Sequence, residues 1–206
     1  MTCVIAAWEE FEGRISFGIA SDSQVTTKNG TANYVGAKFT RIGDYLIGFG
    51  GNHKACSIAE EVIMEDDEDP ATFLKRVSDT VDEFFKKEKE NDKPFLAGLL
   101  VCRDGLWFLT DRAVDIVAAR REGLHRIAYD SGGSGHTFAL GAYCAQKHIA
   151  LLDRLVRAVD AAITHNSTCG GLIHVHVCIE EGGQSKWMIE HLPNGDSVLS
   201  SSSRML

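Results

Sequence analysis

The 206-residue sequence predicts an α+β fold, with two antiparallel sheets between helical layers or a related layered α+β arrangement. Three observations carry this. Short apolar runs joined by tight turns fill the first fifty residues. Two later stretches change to helical period. Strand-like runs then separate the helical blocks and close the chain, giving the order strands, two helices, strands, two helices, strands.

The elements follow in order. "TCVIAAW" (2–8) and "RISFGIAS" (14–21) are apolar runs joined by an acidic turn ending in glycine, and they read as a hairpin. "YVGAKFTRIGDYLIGFGG" (34–51) reads as two strands turning at Gly43-Asp44. A helix is expected over 52–69, ending in the acidic run "EDDED". Asp69-Pro70 then starts a second helix, with Asp as N-cap and Pro in the first turn. Phe73, Val77, Val81 and Phe84 form its apolar face, and Lys86, Lys87 and Lys89 suit its C-terminal dipole. "FLAGLLVC", "GLWFLT", "VDIVAA" and "HRIAYD" return to strands. The glycine cluster "SGGSGHT" (131–137) opens another helical block, whose stripe is Leu152, Leu155, Val156, Val159 and Ile163. "GLIHVHVCIE" and "KWMIEHL" are closing strands, and 197–206 reads as a loose tail of a single domain spanning 1–206.

Composition excludes several classes. The net charge is −8, with 21 basic against 29 acidic side chains, which argues against nucleic-acid binding because phosphate contacts need a surplus of Lys and Arg. No apolar run approaches a membrane span, and the first residues lack the basic region of a signal peptide. Six cysteines without a CxxC pair suit reduced thiols in a cytoplasmic protein.

The residues that could carry chemistry are Thr2, Asp22, Lys38, the glycine turn 48–51 and "GGSG" at 132–135. Each has an ordinary explanation. Asp22 and Lys38 could be a surface ion pair worth roughly 0–1 kcal/mol. Ser134 could be a helix N-cap. Together they suggest more. Removal of Met1 from a Met-Thr start leaves Thr2 with a free α-amine. A threonine hydroxyl is a poor nucleophile unless a base takes its proton, and that amine can be the base. A nearby ammonium lowers the pKa of the amine by like-charge repulsion, and a carboxylate would hold the ammonium in place.

"MTCVIAA", "GIASDSQVT", "GAKFTRI", "LIGFGG" and "GGSGHTFALGA" stand in the order found in the proteasome-type N-terminal-nucleophile hydrolases, and the chain resembles that family most in its bacterial HslV branch. The resemblance implies a four-layer αββα sandwich and a threonine peptidase that needs no metal or other cofactor. It assigns Thr2 as nucleophile, Asp22 and Lys38 as the charged pair beneath it, and Gly51 as oxyanion donor, with Gly50 the neighbouring register. Ser134 would hydrogen-bond near the amine. Ser21, Gln24 and Lys28 would line the substrate cleft. Asn166 and Cys169, in "NSTCGG", stand where the family carries Asp and Ser, so the amine would be less firmly oriented. The resemblance further implies peptide or unfolded-protein substrates, a homo-oligomeric ring and a separate ATP-driven unfoldase. Alternatives are an inactive ring-forming scaffold subunit and a small-molecule amidase on the same fold.

Other signals weigh less. His174, His176 and Cys178 alternate along one strand and could face a metal together, but they lack a fourth ligand; a partly polar strand face accounts for them. "GGSGHT" lacks the lysine of a phosphate loop. Cys3 reads as a buried strand residue rather than a nucleophile. His136 and His165 read as surface or helix-end residues.

Overall fold

The computed structural model describes residues 3–26, 32–34, 36–88, 95–110 and 113–193. Thr2, Lys28 and the 197–206 tail lie outside them. Within them the chain is mixed α and β, with antiparallel sheets and four helices. No helix is long and apolar enough to cross a membrane.

The expected first hairpin is present as β1 (Cys3–Phe11) and β2 (Arg14–Asp22), turning at Glu12-Gly13, where both residues adopt positive φ, 50° and 80°. The pair forms the centre of a six-stranded sheet. β11 (His125–Gly133) and then β10 (Arg120–Glu122) lie beyond β1, while β12 (Leu172–Glu181) and β13 (Gln184–Pro193) lie beyond β2. A five-stranded sheet runs in chain order through β5 (Phe39–Ile42), β6 (Tyr45–Gly51), β7 (Leu96–Cys102), β8 (Gly105–Thr110) and β9 (Ala113–Ile116). The short strands β3 (Gln24–Thr26) and β4 (Ala32–Tyr34) pair with each other.

The alternation of side chains along β1 decides what packs where. Cys3, Ile5 and Ala7 face α3 (His136–Ala145) and α4 (Leu151–His165), in a cluster with Tyr143, Leu155, Val159 and Val175. Val4, Ala6 and Trp8 point the other way and meet Phe39, Leu46, Leu99 and Leu106 of the five-stranded sheet. The far side of that sheet, with Ile47, Phe49 and Leu100, packs on α1 (His53–Glu60) and α2 (Pro70–Lys87). At about 25 cal/mol per Å² of apolar surface, these three clusters dominate the stabilisation.

Two expectations need correction. The helix expected over 52–69 stops at Glu60, and the acidic run is a connection rather than a helix end. Glu68 there pairs with Arg76, and Asp69 Oδ1 accepts the N–H groups of Ala71 and Thr72 as the expected N-cap of α2. These carboxylates serve the next helix, so they do not extend the previous one. On α2, Phe85 is buried where Phe84 was expected, with Phe84 only partly covered. From Phe73, Val77 and Val81 the next position at i+4 is 85.

Candidate active site

The start of β1 and the end of β2 lie side by side, because the hairpin register pairs Val4 with Ser21. Asp22 is fully buried there and surrounded by donors. Its Oδ1 accepts the Cys3 N–H at 2.8 Å and the Lys38 ammonium at 2.7 Å, and its Oδ2 accepts the Gly170 N–H at 3.0 Å. A buried carboxylate needs such partners, since leaving it unpaired costs several kcal/mol. Lys38 enters from the residue before β5. Its backbone N–H donates to Ser21 Oγ at 3.1 Å, and its ammonium also donates to the Gln24 carbonyl. Burial pulls the Lys38 pKa below its ordinary value, against the opposing pull of Asp22. This is not the surface pair that the sequence alone allows.

Ser21 and Gln24, expected in the substrate cleft, are both buried. Ser21 holds the Lys38 backbone, while the Gln24 side chain donates to the Ser167 carbonyl at 3.2 Å. Ser23 ties the same strand end to β12: its N–H donates to the Gly170 carbonyl and its Oγ accepts from Leu172 N.

The other flank of Cys3 is neutral. β1 and β11 pair down to Cys3 opposite Gly133, and Ser134 follows in the turn before α3. Ser134 is not the N-cap of that helix. Gly135 occupies the cap position without a side-chain bond, and Ser134 Oγ lies 2.6 Å from Thr168 Oγ1. Asn166, the C-cap of α4, donates from Nδ2 to the Ser134 carbonyl at 2.7 Å. Its Oδ1 accepts from both Thr168 N at 3.0 Å and Thr168 Oγ1 at 2.7 Å. Cys169 is buried next to this group, and burial pushes its thiol up to about 11, so it remains a protonated, weak donor near neutral pH. Cys3 is fully buried too, as expected of a strand residue, and desolvation pushes its thiol above the usual range.

Gly135 shows how close these segments lie. A Cβ placed there would sit 2.8 Å from Cys169 Sγ, 2.8 Å from the Ala162 Cβ and 3.1 Å from the Cys3 Cβ. Gly51 closes β6 with φ of 131°, a conformation that L side chains rarely adopt, and an added Cβ would run into the Phe95 carbonyl oxygen. The next residue, Asn52, donates its N–H to that oxygen at 2.8 Å and caps α1 with its side chain.

The structure thus gathers Asp22, Lys38, Ser21 and Gln24 on one flank of Cys3, and Ser134, Asn166 and Cys169 on the other. Sequence reasoning missed Thr168, the Gly170 N–H and the Cys3 N–H. The last two are backbone groups without a residue-type signature. Thr168 had only its place in "NSTCGG" to signal it.

His174 and His176 face the inter-sheet side with Cys178, as strand alternation requires. Their partners are aromatic: His174 Nδ1 lies 2.6 Å from His191 Nδ1, and His176 packs edge-on against Phe39. Among the described residues, no group of three or more His, Cys, Asp or Glu side chains has the geometry to hold a metal ion.

Comparison with protein-family models and with curated proteins gives no match. Solved structures do match. BPH of Thiobacillus denitrificans, in complex with epoxomicin, is similar at a TM-score of 0.59 and 21% identity, over 84% of this chain and 97% of that one. Eukaryotic HslV from Trypanosoma brucei is similar at a TM-score of 0.58 and 19% identity, over 84% of this chain and 98% of that one. The fold is proteasome-type. Nearly the whole of each of those chains is covered, so the likeness takes in both sheets rather than one of them. The expectation raised by five short motifs therefore holds at the level of the fold.

Proposed function

We propose that this protein is a threonine peptidase of the proteasome type, with residues 1–206 as one domain whose layers form an αββα sandwich. One observation carries the reading. A buried carboxylate, Asp22, holds both the Lys38 ammonium and the N–H of Cys3, the residue to which Thr2 is joined. An ammonium is thereby fixed beside the start of the chain.

After Met1 is removed, the Thr2 amine takes the proton of the Thr2 hydroxyl as Oγ attacks a peptide carbonyl. Lys38 keeps more of that amine in its free-base form by repulsion. The Gly51 N–H receives the developing oxyanion, a contribution typically worth about 3–4 kcal/mol. The amine proton passes to the leaving nitrogen as the C–N bond breaks, and an acyl-enzyme remains. Water then attacks the ester, giving its proton to the amine, and Thr2 Oγ leaves with a proton restored. Ser21 and Gln24 act by holding Lys38, Ser134, Asn166 and Cys169 border the amine, and Lys28 contributes to the cleft. No metal or cofactor enters these steps. The same resemblance supports a homo-oligomeric ring in the cytoplasm, fed with unfolded protein by a separate ATP-driven unfoldase.

The test combines intact mass with labelling by a peptide vinyl sulfone. The expected result is a chain lacking Met1, labelled once on Thr2, and silent after Thr2→Ala. A full-length chain that takes no label overturns the peptidase reading and leaves the inactive scaffold. Labelling with turnover of small amides alone supports the amidase.

A further inference from the structure

The two edges of the six-stranded sheet are unlike. At one edge β10 is three residues long, Arg120–Glu122, all charged and all exposed, which is a usual guard on a free edge. At the other edge β13 offers ten residues, Gln184–Pro193, and among the described residues no strand pairs with its outer side. The edge strands of the five-stranded sheet, β5 and β9, have four residues each. A long strand with unmade N–H and C=O groups along one side is a template for another strand.

The side chains of β13 decide which strand fits. Trp187 packs into the cluster between the sheets, edge-on to Phe17, while Met188 packs with the cluster under α4. By alternation Lys186 and Glu190 share the face of Met188, and Ile189 shares that of Trp187, where it is 51% exposed. Lys186 and Glu190 stand two residues to either side of Met188, and neither makes an ion pair among the described residues. Four steps of extended chain hold them about 13 Å apart, so they cannot neutralise each other within the strand.

A second copy of the strand can neutralise both. When it lies antiparallel, about a two-fold axis through Met188, Lys186 stands opposite Glu190 of the second copy, and Glu190 opposite its Lys186. On the other face Trp187 and Ile189 oppose each other in the same way, an aromatic side chain against a β-branched one. The register is specific. A slip of two residues faces the charges with Leu192 and Met188 in one direction, and with Met188 and Gln184 in the other.

We propose that the outer edge of β13 is a docking surface for the same edge of a second copy of this chain, joining two six-stranded sheets into one. Such a contact is isologous and closes on itself, unlike the head-to-tail contact that builds a ring. The inference needs only β13 and does not rest on the peptidase reading.

The experiment measures self-association of the full chain by sedimentation velocity, for the wild type, Lys186→Glu, Glu190→Lys and an equal mixture of the two variants. Each variant alone sets like charges opposite each other at both pairs, and its dissociation constant should rise by about tenfold or more. The mixture sets opposite charges at both pairs again and should return to within about threefold of wild type. This recovery also guards against misfolding, since two misfolded chains do not restore each other. Met188→Cys, on the axis, should be joined to its counterpart by a short bis-maleimide, because cross-strand Cβ atoms lie about 4.5–5.5 Å apart. Gln184→Cys, whose own counterpart lies far along the strand, should not be joined. A wild type that stays monomeric overturns the inference and leaves the edge to another occupant, residues 194–206 of this chain included. Unchanged association in the single variants overturns it too, as does a mixture no stronger than its components. So does association without a cross-link at Met188→Cys, which would place the contact on another face.

Discussion

On the β2 side of Cys3 the site is held by charge, a buried carboxylate that accepts the Cys3 and Gly170 N–H groups and an ammonium. On the α4 side it is held by neutral groups, a serine, a threonine and an asparagine that exchange four hydrogen bonds. The difference separates two tasks. A charge acts over distance and sets a pKa, whatever the direction of its bonds. A neutral hydroxyl chain contributes little potential, but each proton in it can point only one way. On the proposed peptidase reading, the charged flank is the one that would tune the base.

Breaking the charged flank should have the larger effect. Lys38→Met removes the ammonium and is expected to cut the labelling rate by about 10²-fold or more, within the range attributed to general-base catalysis. It also strands Asp22 in the interior, with a stability loss of about 3–5 kcal/mol in chemical denaturation. Adding Asp22→Asn to that variant should recover much of the stability and none of the activity. Recovery of both would show that the pair serves only the fold.

Charging the neutral flank is the complementary change. If the peptidase reading holds, Asn166→Asp puts a carboxylate beside the amine, which favours the ammonium form and should move the acid limb of labelling to higher pH by about one unit. It also replaces the donor to the Ser134 carbonyl, so the plateau rate should fall modestly. A limb that stays where it is would mean that residue 166 does not sense the amine.

The smallest effect concerns stability and keeps it apart from catalysis. Burial lowers the pKa values of His174 and His176, with nearby His191 adding to the effect. The unfolded chain, with ordinary values near 6.5, binds more protons in the window just below that pH. Stability is therefore full above about pH 6.5 and is lost as pH falls toward the depressed folded values. His174→Gln should flatten the fall in melting temperature from pH 7 to 5, and an unchanged slope would remove His174 from this account.

The legibility of the two flanks differs in the same way. Asp22 and Lys38 stand out because charged residues beside apolar runs need a reason, and the motifs that carry them resemble those of a known family. The hairpins at Glu12-Gly13 and Gly43-Asp44 were readable for a similar reason, since tight turns demand particular residues. Thr168 carried no such mark. A threonine beside glycine and serine has an ordinary place in any turn, and its hydrogen bonds appear only when Asn166 and Ser134 are brought to it from 2 and 34 positions away. The overlong first helix failed on a related point. A run of carboxylates can end one helix or cap the next, and the local pattern does not distinguish these. Backbone donors such as the Gly170 N–H leave no trace in residue type at all.

That Gly170 N–H has one more consequence. It reaches Asp22 across 148 positions of sequence, and the Ser134–Asn166 bond closes a loop of 32 positions inside that span. Contacts so distant along the chain form late, after the entropy of closing a long loop has been overcome. A chain growing from the ribosome holds residue 22 long before residue 170 exists, and until both meet the Asp22 carboxylate lacks one of its donors. The surroundings of the buried Asp22 are thus a property of the finished chain, withheld from every shorter intermediate by topology alone.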